Sequence, residues 1–238
     1  MKRTFIFAVL FILMLSAAAG YAAPDLEQQF ALIAGNADQW KQDVDFGMWG
    51  YAVTDLDHNG RLEIIAASVQ GTGFYTYMNV FEVNEESTGL IDVYGPVQVQ
   101  GKSAPDIMVS AVPTYFDKES GRYYYIFEDY IRNGMAENYQ NKRAVSIADG
   151  KWEEALLAEK ATIYTDAEHY TITCTDSAGN PISEAQYDGI VETVYGNLEQ
   201  SETCINWQMT DNEAFAALTS AQMIESLHTA AENTCRKD

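Results

Sequence analysis

Residues 55–63 are the part of the chain whose residue types and spacing best suit a chemical role. Oxygen-bearing side chains fall at the first, third, fifth and ninth positions of this stretch, and Gly60 falls at the sixth. A hard cation such as Ca²⁺ takes about six to eight oxygen ligands, which a short loop supplies by curling around the ion. Gly60 permits the sharp turn because glycine readily adopts a positive φ. The pattern predicts five ligand residues: Asp55, Asp57, Asn59 and Glu63 through their side chains, and Arg61 through its carbonyl oxygen.

The alternative interpretation is an ordinary tight turn without a metal, because Asp, Asn and Gly are all common turn residues. A turn does not need three alternating oxygen donors followed by an acid beyond an apolar eighth position, here Leu62. We therefore favour the cation site. His58 lies at the fourth position, which points away from the ion, so we predict that His58 is on the surface.

The motif resembles two kinds of calcium loop. An EF-hand shares the Asp-x-Asp-x-Asn-Gly pattern but has a bidentate Glu at position 12, where this chain has Ala66. The flanking runs, 49–54 and 62–69, are rich in the β-branched, aromatic and apolar residues of strands. The better match is the strand–loop–strand calcium loop of the FG-GAP or VCBS type, whose ninth position, here Glu63, is usually Asp. This resemblance implies Ca²⁺ as the bound cofactor.

The resemblance covers the loop and its flanking strands only. The FG-GAP and VCBS families repeat the motif around a propeller, whereas this chain carries it once, so a propeller is not implied. More loosely, the whole chain resembles secreted bacterial proteins that have a helix, then one such loop, then a mixed sheet.

Residues 1–22 have the pattern of a signal peptide. Two basic residues precede an apolar run over 4–15 that is too short to span a membrane, and small residues lead up to Ala22. We predict cleavage after Ala22, a secreted or extracytoplasmic location, and no membrane insertion after cleavage.

The predicted mature chain is strongly acidic. Cleavage removes two basic residues and no acids, so the formal charge becomes 12 − 35 = −23. Such a chain is repelled by nucleic acid and by anionic membrane surfaces. The 238 − 22 = 216 residues that remain suffice for one core and contain no Ser/Gly/Pro-rich linker. We predict a single domain over 23–238, present as a monomer.

Three cysteines, Cys174, Cys204 and Cys235, lie far apart in the chain. An exported protein can form one disulfide from them and keep one thiol. Cys174 alternates with Tyr170 and Ile172 on one predicted strand face, so we expect it to be buried and unpaired. This leaves Cys204 and Cys235 as the predicted disulfide.

The overall pattern predicts an α+β fold, in which an N-terminal helix and two C-terminal helices flank an extended antiparallel sheet, a meander. The first helix is predicted over 25–34, with Leu26, Phe30 and Ile33 on its apolar face. Asn133-Gly134 and Asp149-Gly150 favour hairpin turns. The predicted strands include 62–69, 74–83, 90–99, 122–131, 151–161 and 170–175.

Two helices are predicted near the C-terminus. A capping box at Ser183 precedes an apolar helix face that extends to Leu198. The last helix is predicted from Thr219 or Ser220 to near Ala231, with Met223, Ile224 and Leu227 directed inward.

The sequence contains no catalytic motif that identifies a reaction. It lacks a Gly-x-Ser-x-Gly elbow, a His-Glu-x-x-His helix and a phosphate loop. Glu128 and Asp129 are adjacent acids, but neighbours on a strand point to opposite faces, so they cannot act as a glycosidase pair. A secreted hydrolase whose carboxylates meet only in three dimensions remains an alternative hypothesis.

The chain is also rich in tyrosines. Alternation places Tyr123 and Tyr125 on one strand face and Tyr124 on the other, and Tyr75 and Tyr77 form a second pair. Exposed aromatic rings on a sheet can stack on a glycan or a peptide, whereas cross-strand aromatic pairing only stabilises the sheet. Our principal hypothesis is a secreted calcium-binding domain of binding or structural character, and a glycan- or peptide-binding module is another alternative.

Overall fold

The computed structural model describes residues 25–45, 47–96, 103–148, 150–166 and 168–231. The predicted signal peptide lies outside these residues. The helices are α1 (Leu26–Gly35), α2 (Ala37–Trp40), α3 (Glu184–Asp188), α4 (Ile190–Tyr195), α5 (Asn212–Ala216) and α6 (Ser220–Ala230). The strands are β1 (Trp49–Thr54), β2 (Glu63–Gln70), β3 (Tyr75–Val83), β4 (Leu90–Asp92), β5 (Ala111–Asp117), β6 (Arg122–Asn133), β7 (Glu137–Ala148), β8 (Lys151–Tyr164), β9 (Tyr170–Asp176), β10 (Pro181–Ile182), β11 (Glu199–Cys204) and β12 (Gln208–Thr210).

The strands form two antiparallel sheets and confirm the predicted α+β class. One sheet has the order β12-β1-β2-β3-β4, and the other has the order β10-β9-β8-β7-β6-β5-β11. Most neighbouring strands are consecutive in sequence, as in a meander, because antiparallel strands need only short turns between them. The break between the sheets falls between β4 and β5, so the expected extended sheet is divided in two.

The main hydrophobic core lies between the two sheets. It combines Ile65 and Met78 of the first sheet with Tyr125, Val145 and Trp152 of the second. Strands alternate their side chains between faces, so each sheet also has an outer apolar face to cover. Helices α1, α2, α5 and α6 pack on the outer face of the first sheet, and α3 and α4 pack on that of the second.

The first and last helices begin and end close to their predicted positions. Asp25 caps α1, with its carboxylate accepting from the backbone N–H of Glu27. Phe30 and Ile33 are buried as predicted, but Leu26 is 55% exposed, because it lies in the first turn at the edge of the packed face. A capping box at Thr219 begins α6, whose Met223 and Leu227 are buried.

Two local predictions need correction. The helix expected to extend to Leu198 is interrupted at Gly189 and ends at Tyr195. Glycine is a poor helix-interior residue because it loses much backbone entropy there. The strand expected over 90–99 ends at Asp92, whose carboxylate accepts from the Gly95 N–H at 2.7 Å and closes a turn. The remainder of that prediction, 97–99, lies outside the described residues.

The cysteine prediction is confirmed for the two cysteines that the structure describes. Cys174 is a buried free thiol, and Cys204 is disulfide-bonded. Cys235, the predicted partner of Cys204, lies outside the described residues. Among the described residues, no helix is long and apolar enough to cross a membrane.

Candidate metal centre

The predicted calcium loop connects two buried central strands. All six residues of β1 and the first six of β2 are buried, and Thr54 pairs with Glu63 across the ladder. The intervening residues must therefore reverse the chain within a short distance. Gly60 has a φ of +83°, as predicted for the turn, and His58 also has a positive φ, at +58°.

Three predicted ligand residues come together in this loop. One carboxylate oxygen from each of Asp55, Asp57 and Glu63, the acidic trio, lies within 4.8 Å of the other two. Their arrangement is able to hold a metal ion, although acidic groups also cluster without one. The donor set consists of hard oxygens only, the type that Ca²⁺ and Mg²⁺ prefer.

Two oxygen atoms of the acidic trio are buried without a hydrogen bond. Asp55 accepts from the Gly60 N–H at 3.1 Å through Oδ2, whereas its Oδ1 has no partner in the described part of the chain. Glu63 is fully buried and accepts from Thr54 Oγ1 and the Leu56 N–H through Oε2, at 3.0 and 2.8 Å. Its Oε1 is likewise unpartnered among the described residues. A buried unpartnered acceptor is costly, and a bound cation would satisfy both atoms.

The electrostatics of the acidic trio disfavour three bare negative charges. Burial raises the pKa of Glu63 well above its ordinary value, the Leu56 N–H opposes that shift, and the charges of Asp57, Glu82 and Asp55 add to it. Burial and the charge of Glu82 raise the pKa of Asp57 as well. Desolvation and like charges both disfavour ionised carboxylates. A cation at this point would reverse that effect.

The other two predicted ligands are positioned differently. Asn59 donates through Nδ2 to Asp57 Oδ2 at 2.8 Å and to Glu82 Oε1 at 2.6 Å. Its Oδ1 accepts from the Arg61 N–H at 2.7 Å, so this amide oxygen is engaged within the loop. The Arg61 guanidinium forms an ion pair with Glu82, and coordination by the Arg61 carbonyl stays a prediction.

Glu82 is a buried carboxylate beside the acidic trio that sequence reasoning missed. It pairs with Glu63 across β2 and β3, and its Oε2 is also unpartnered within the described chain. Strand alternation contained a signal, because Thr76, Met78 and Val80 mark the buried face of β3 and Glu82 continues that series. The Arg61 guanidinium, 2.7 Å from Glu82, compensates this charge.

Helix α1 and the second sheet both support the loop. Gln29 donates to the Gly60 carbonyl at 3.0 Å and accepts from the Leu62 N–H at 2.7 Å. Tyr125 of β6 donates its buried hydroxyl to the Leu56 carbonyl at 2.6 Å. Backbone groups between the members of the acidic trio are therefore fixed by residues distant in sequence.

The tyrosine run is packed within the protein. Tyr123 stacks on Phe116, with ring centroids 4.5 Å apart, and its centroid is 4.0 Å from that of His58. Tyr124 packs against Tyr195 of α4 on the opposite face. Tyr123 and Tyr124 thus face opposite sides, as alternation predicts, and each has an aromatic neighbour. His58 is exposed as expected, with its ring on Tyr123.

A second acidic group lies on β6. Glu128 is exposed and Asp129 is buried, which confirms that the two point to opposite faces. Asp129 accepts from the Asp106 N–H at 2.9 Å and forms an ion pair with Arg143. Burial, the largest influence, raises the pKa of Asp129 to about 6 despite the nearby Arg143 guanidinium. Because a guanidinium and a backbone N–H occupy its carboxylate, this group resembles a structural ion pair more than a metal site.

The fold and the acidic trio together define an α+β protein with a buried carboxylate loop that can hold a metal ion. Comparison of the chain with protein-family models, curated proteins and solved structures found no match.

Proposed function

We propose that the loop over 55–63 binds Ca²⁺ and that the protein is a secreted calcium-binding domain of binding or structural character. The observation that carries this proposal is the acidic trio, in which Asp55 Oδ1 and Glu63 Oε1 are buried without a partner in the described residues. The proposed ligands are the five predicted from the sequence: Asp55, Asp57, Asn59, Arg61 through its carbonyl, and Glu63. The two positive charges of the ion would offset most of the charge of the three carboxylates, and the ion would fix the connection between β1 and β2.

The donor set favours Ca²⁺ over other ions. The carboxylate oxygens are hard donors, and the acidic trio contains no imidazole or thiolate, the ligands that suit zinc and copper. Mg²⁺ demands a tight octahedron and keeps several waters, whereas Ca²⁺ accepts a looser shell. A loop that supplies two aspartates before its turn and the buried Glu63 after it suits Ca²⁺, the ion with the looser shell.

The bare-turn interpretation can be judged against another turn in the same protein. Asp176 begins a β9–β10 turn, in which its carboxylate accepts from the N–H groups of Ala178 and Asn180. Hydrogen bonds with Asn180 are the main reason that the pKa of Asp176 is lowered, so this turn stabilises a bare carboxylate. The pKa of Asp57 is raised, chiefly by burial. The contrast supports a cation requirement at residues 55–63.

The proposed location follows from the signal-peptide pattern. Extracellular calcium modules commonly have a Kd of about 10⁻⁴–10⁻³ M, because the surrounding Ca²⁺ concentration is high. We therefore propose a weak to moderate affinity in that range and a mature chain that begins at Ala23. The hydrolase hypothesis and the glycan- or peptide-binding hypothesis stay alternatives.

Isothermal titration calorimetry with Ca²⁺ and with Mg²⁺ tests the metal proposal. We expect one Ca²⁺ per chain, with weaker Mg²⁺ binding. Asp57→Asn should weaken Ca²⁺ binding by about tenfold or more, because it removes one ligand charge and each tenfold step corresponds to about 1.4 kcal/mol. Asp176→Asn is the matched control. Asp176 also lies in a turn, but among the described residues it belongs to no acidic cluster that could hold a metal ion.

The two variants separate the possible results. Loss of Ca²⁺ affinity in Asp57→Asn, with normal affinity in Asp176→Asn, supports the site. If wild-type protein shows no Ca²⁺ binding up to several millimolar, or if both variants bind as wild type does, the loop is only a turn.

A further inference from the structure

The acidic trio borders a polar cleft that the calcium proposal does not use. This cleft has a volume of about 340 Å³, and Asp57, Arg122, Tyr123 and Ala148 contribute to its walls. It lies where the 55–63 loop of the first sheet meets the β5–β6 turn and the end of β7 in the second. Its volume is near the lower end of the range for small-molecule sites, about 300–1,000 Å³.

The three acids divide the site into a closed side and an open side. Glu63 is fully buried, and Asp55 has a buried Oδ1. Asp57 is half-buried and belongs to both the trio and the cleft wall. An ion held by all three would therefore have protein on one side and the cleft on the other.

The number of ligand oxygens also leaves room for a ligand in the cleft. Glu63 uses Oε2 to accept from Thr54 Oγ1 and the Leu56 N–H, so its other oxygen, Oε1, is the atom left for an ion. With at most one oxygen from each of the five proposed ligand residues, the loop supplies no more than five. Ca²⁺ takes about six to eight. At least one coordination position would be filled from the cleft, by water or by an oxygen of a ligand.

Arg122 gives the cleft a second positive group. It stands at the start of β6, forms an ion pair with Glu153 at 2.6 Å, and lines the same cavity as Asp57. A guanidinium has five N–H donors in a planar array and recognises carboxylates well. An ion with an open coordination position binds a carboxylate oxygen directly, so the ion, with the guanidinium nearby, gives local recognition of an anion even in a chain of strongly negative net charge.

We propose that this cleft binds a small carboxylate ligand, which coordinates the bound Ca²⁺ and contacts Arg122. The proposal rests on the proposed function, because the ion supplies one of the two recognition points. The small volume suits a single uronic acid residue or a short-chain acid. The ligand's carboxylate, and not an apolar surface, provides the recognition.

Luminescence of bound Eu³⁺, an oxygen-seeking ion used in place of Ca²⁺, tests the open position directly. Its lifetime in H₂O and D₂O gives the number of coordinated waters. We expect Eu³⁺ to compete with Ca²⁺ and to retain at least one water on the protein. Acetate should displace water from the ion, as should glucuronate, whereas glucose, which has the same ring without the carboxylate, should not. The concentrations of acetate and of glucuronate needed to displace the water distinguish a site for a simple acid from a site for a sugar acid.

Variants of two arginines on one strand provide the control. Arg122→Gln should raise the concentration of acetate needed for displacement on the order of tenfold, since a hydrogen bond to a charged group is lost. Arg132→Gln, near the other end of β6, should leave that acetate concentration unchanged. Eu³⁺ without coordinated water, a lifetime insensitive to both carboxylates, or equal effects of the two variants would overturn the cleft proposal while metal binding stands. Absence of Ca²⁺ and Eu³⁺ binding would instead refute the proposed function.

Discussion

Replacement of Glu63 by Gln should have different effects on stability with and without Ca²⁺. Glu63 is fully buried, and burial raises the pKa of its carboxyl group well above the usual value. Gln has nearly the same shape and no charge. Its amide oxygen can accept from Thr54 and Leu56 as Oε2 does now, and its NH₂ group supplies donors to a site where Asp55 Oδ1 is unpartnered among the described residues.

The size of each effect follows from these contacts. A buried acceptor without a partner costs about 1–3 kcal/mol, so Glu63→Gln should stabilise the calcium-free protein by about that amount. Wild type should gain about 2.7 kcal/mol at a Ca²⁺ concentration a hundredfold above Kd. Glu63→Gln removes a ligand charge and should gain little at the same concentration. The stability difference between wild type and Glu63→Gln should therefore change by about 2.7 kcal/mol between chelator and Ca²⁺, which reverses their order when the gain of the variant in chelator is smaller than that.

Urea unfolding followed by tryptophan fluorescence, with EDTA or with Ca²⁺, measures this change. Thermal unfolding should agree, since 1 kcal/mol shifts the Tm of a chain of this size by about 2–4 °C. Asp129→Asn changes another fully buried carboxylate, one paired with Arg143, and its stability change should be the same in both conditions. If Glu63→Gln is less stable than wild type in EDTA, the buried charge of Glu63 does not destabilise the calcium-free protein. If Ca²⁺ stabilises wild type and Glu63→Gln equally, Glu63 is not a ligand.

Two further predictions concern groups away from the loop. Burial raises the pKa of Asp129 to about 6 in the folded state, whereas an unfolded Asp titrates at about 3.9. Between these two pH values the folded state keeps a proton that the unfolded state has released. Wild type should therefore lose up to about 1.4 kcal/mol of unfolding free energy per pH unit as pH rises from about 4 to about 6. Asp129→Asn should lack this component in urea titrations, and an identical pH dependence would contradict the reasoning. Cys174 is buried, and burial raises its thiol pKa, so a thiol reagent should find no reactive group in native protein and one in denatured, unreduced protein. Three reactive thiols there would exclude the disulfide at Cys204.

Local sequence patterns predicted the elements whose determinants are close together in the chain. The cap at Ser183, the start of the last helix near Thr219, the positive φ of Gly60 and the burial of Phe30 all depend on neighbouring residues. The acidic trio belongs to the same category, because a single loop carries all three acids.

Features that depend on distant pairing were not predicted. Strand β11 contains mostly polar residues, Glu199 to Thr203, because it lies at a sheet edge where its side chains are largely exposed. Its composition therefore lacks the apolar signal of a strand. Glu82 is brought beside the loop only by the register of β2 and β3, and the Tyr125 contact requires the two sheets to pack together. A single sequence does not specify either relationship.

The anchoring of the 55–63 loop has a consequence for how the protein opens. Surface loops normally belong to the least stable parts of a protein and exchange their amide hydrogens through small local fluctuations. Here the Leu62 amide is bonded to a helix residue, Gln29, and the Leu56 carbonyl to Tyr125 of the other sheet. Release of the loop therefore requires three layers to separate. The Leu62 amide should exchange only in large-scale opening events, so a single slow amide reports on the cooperativity of the entire fold.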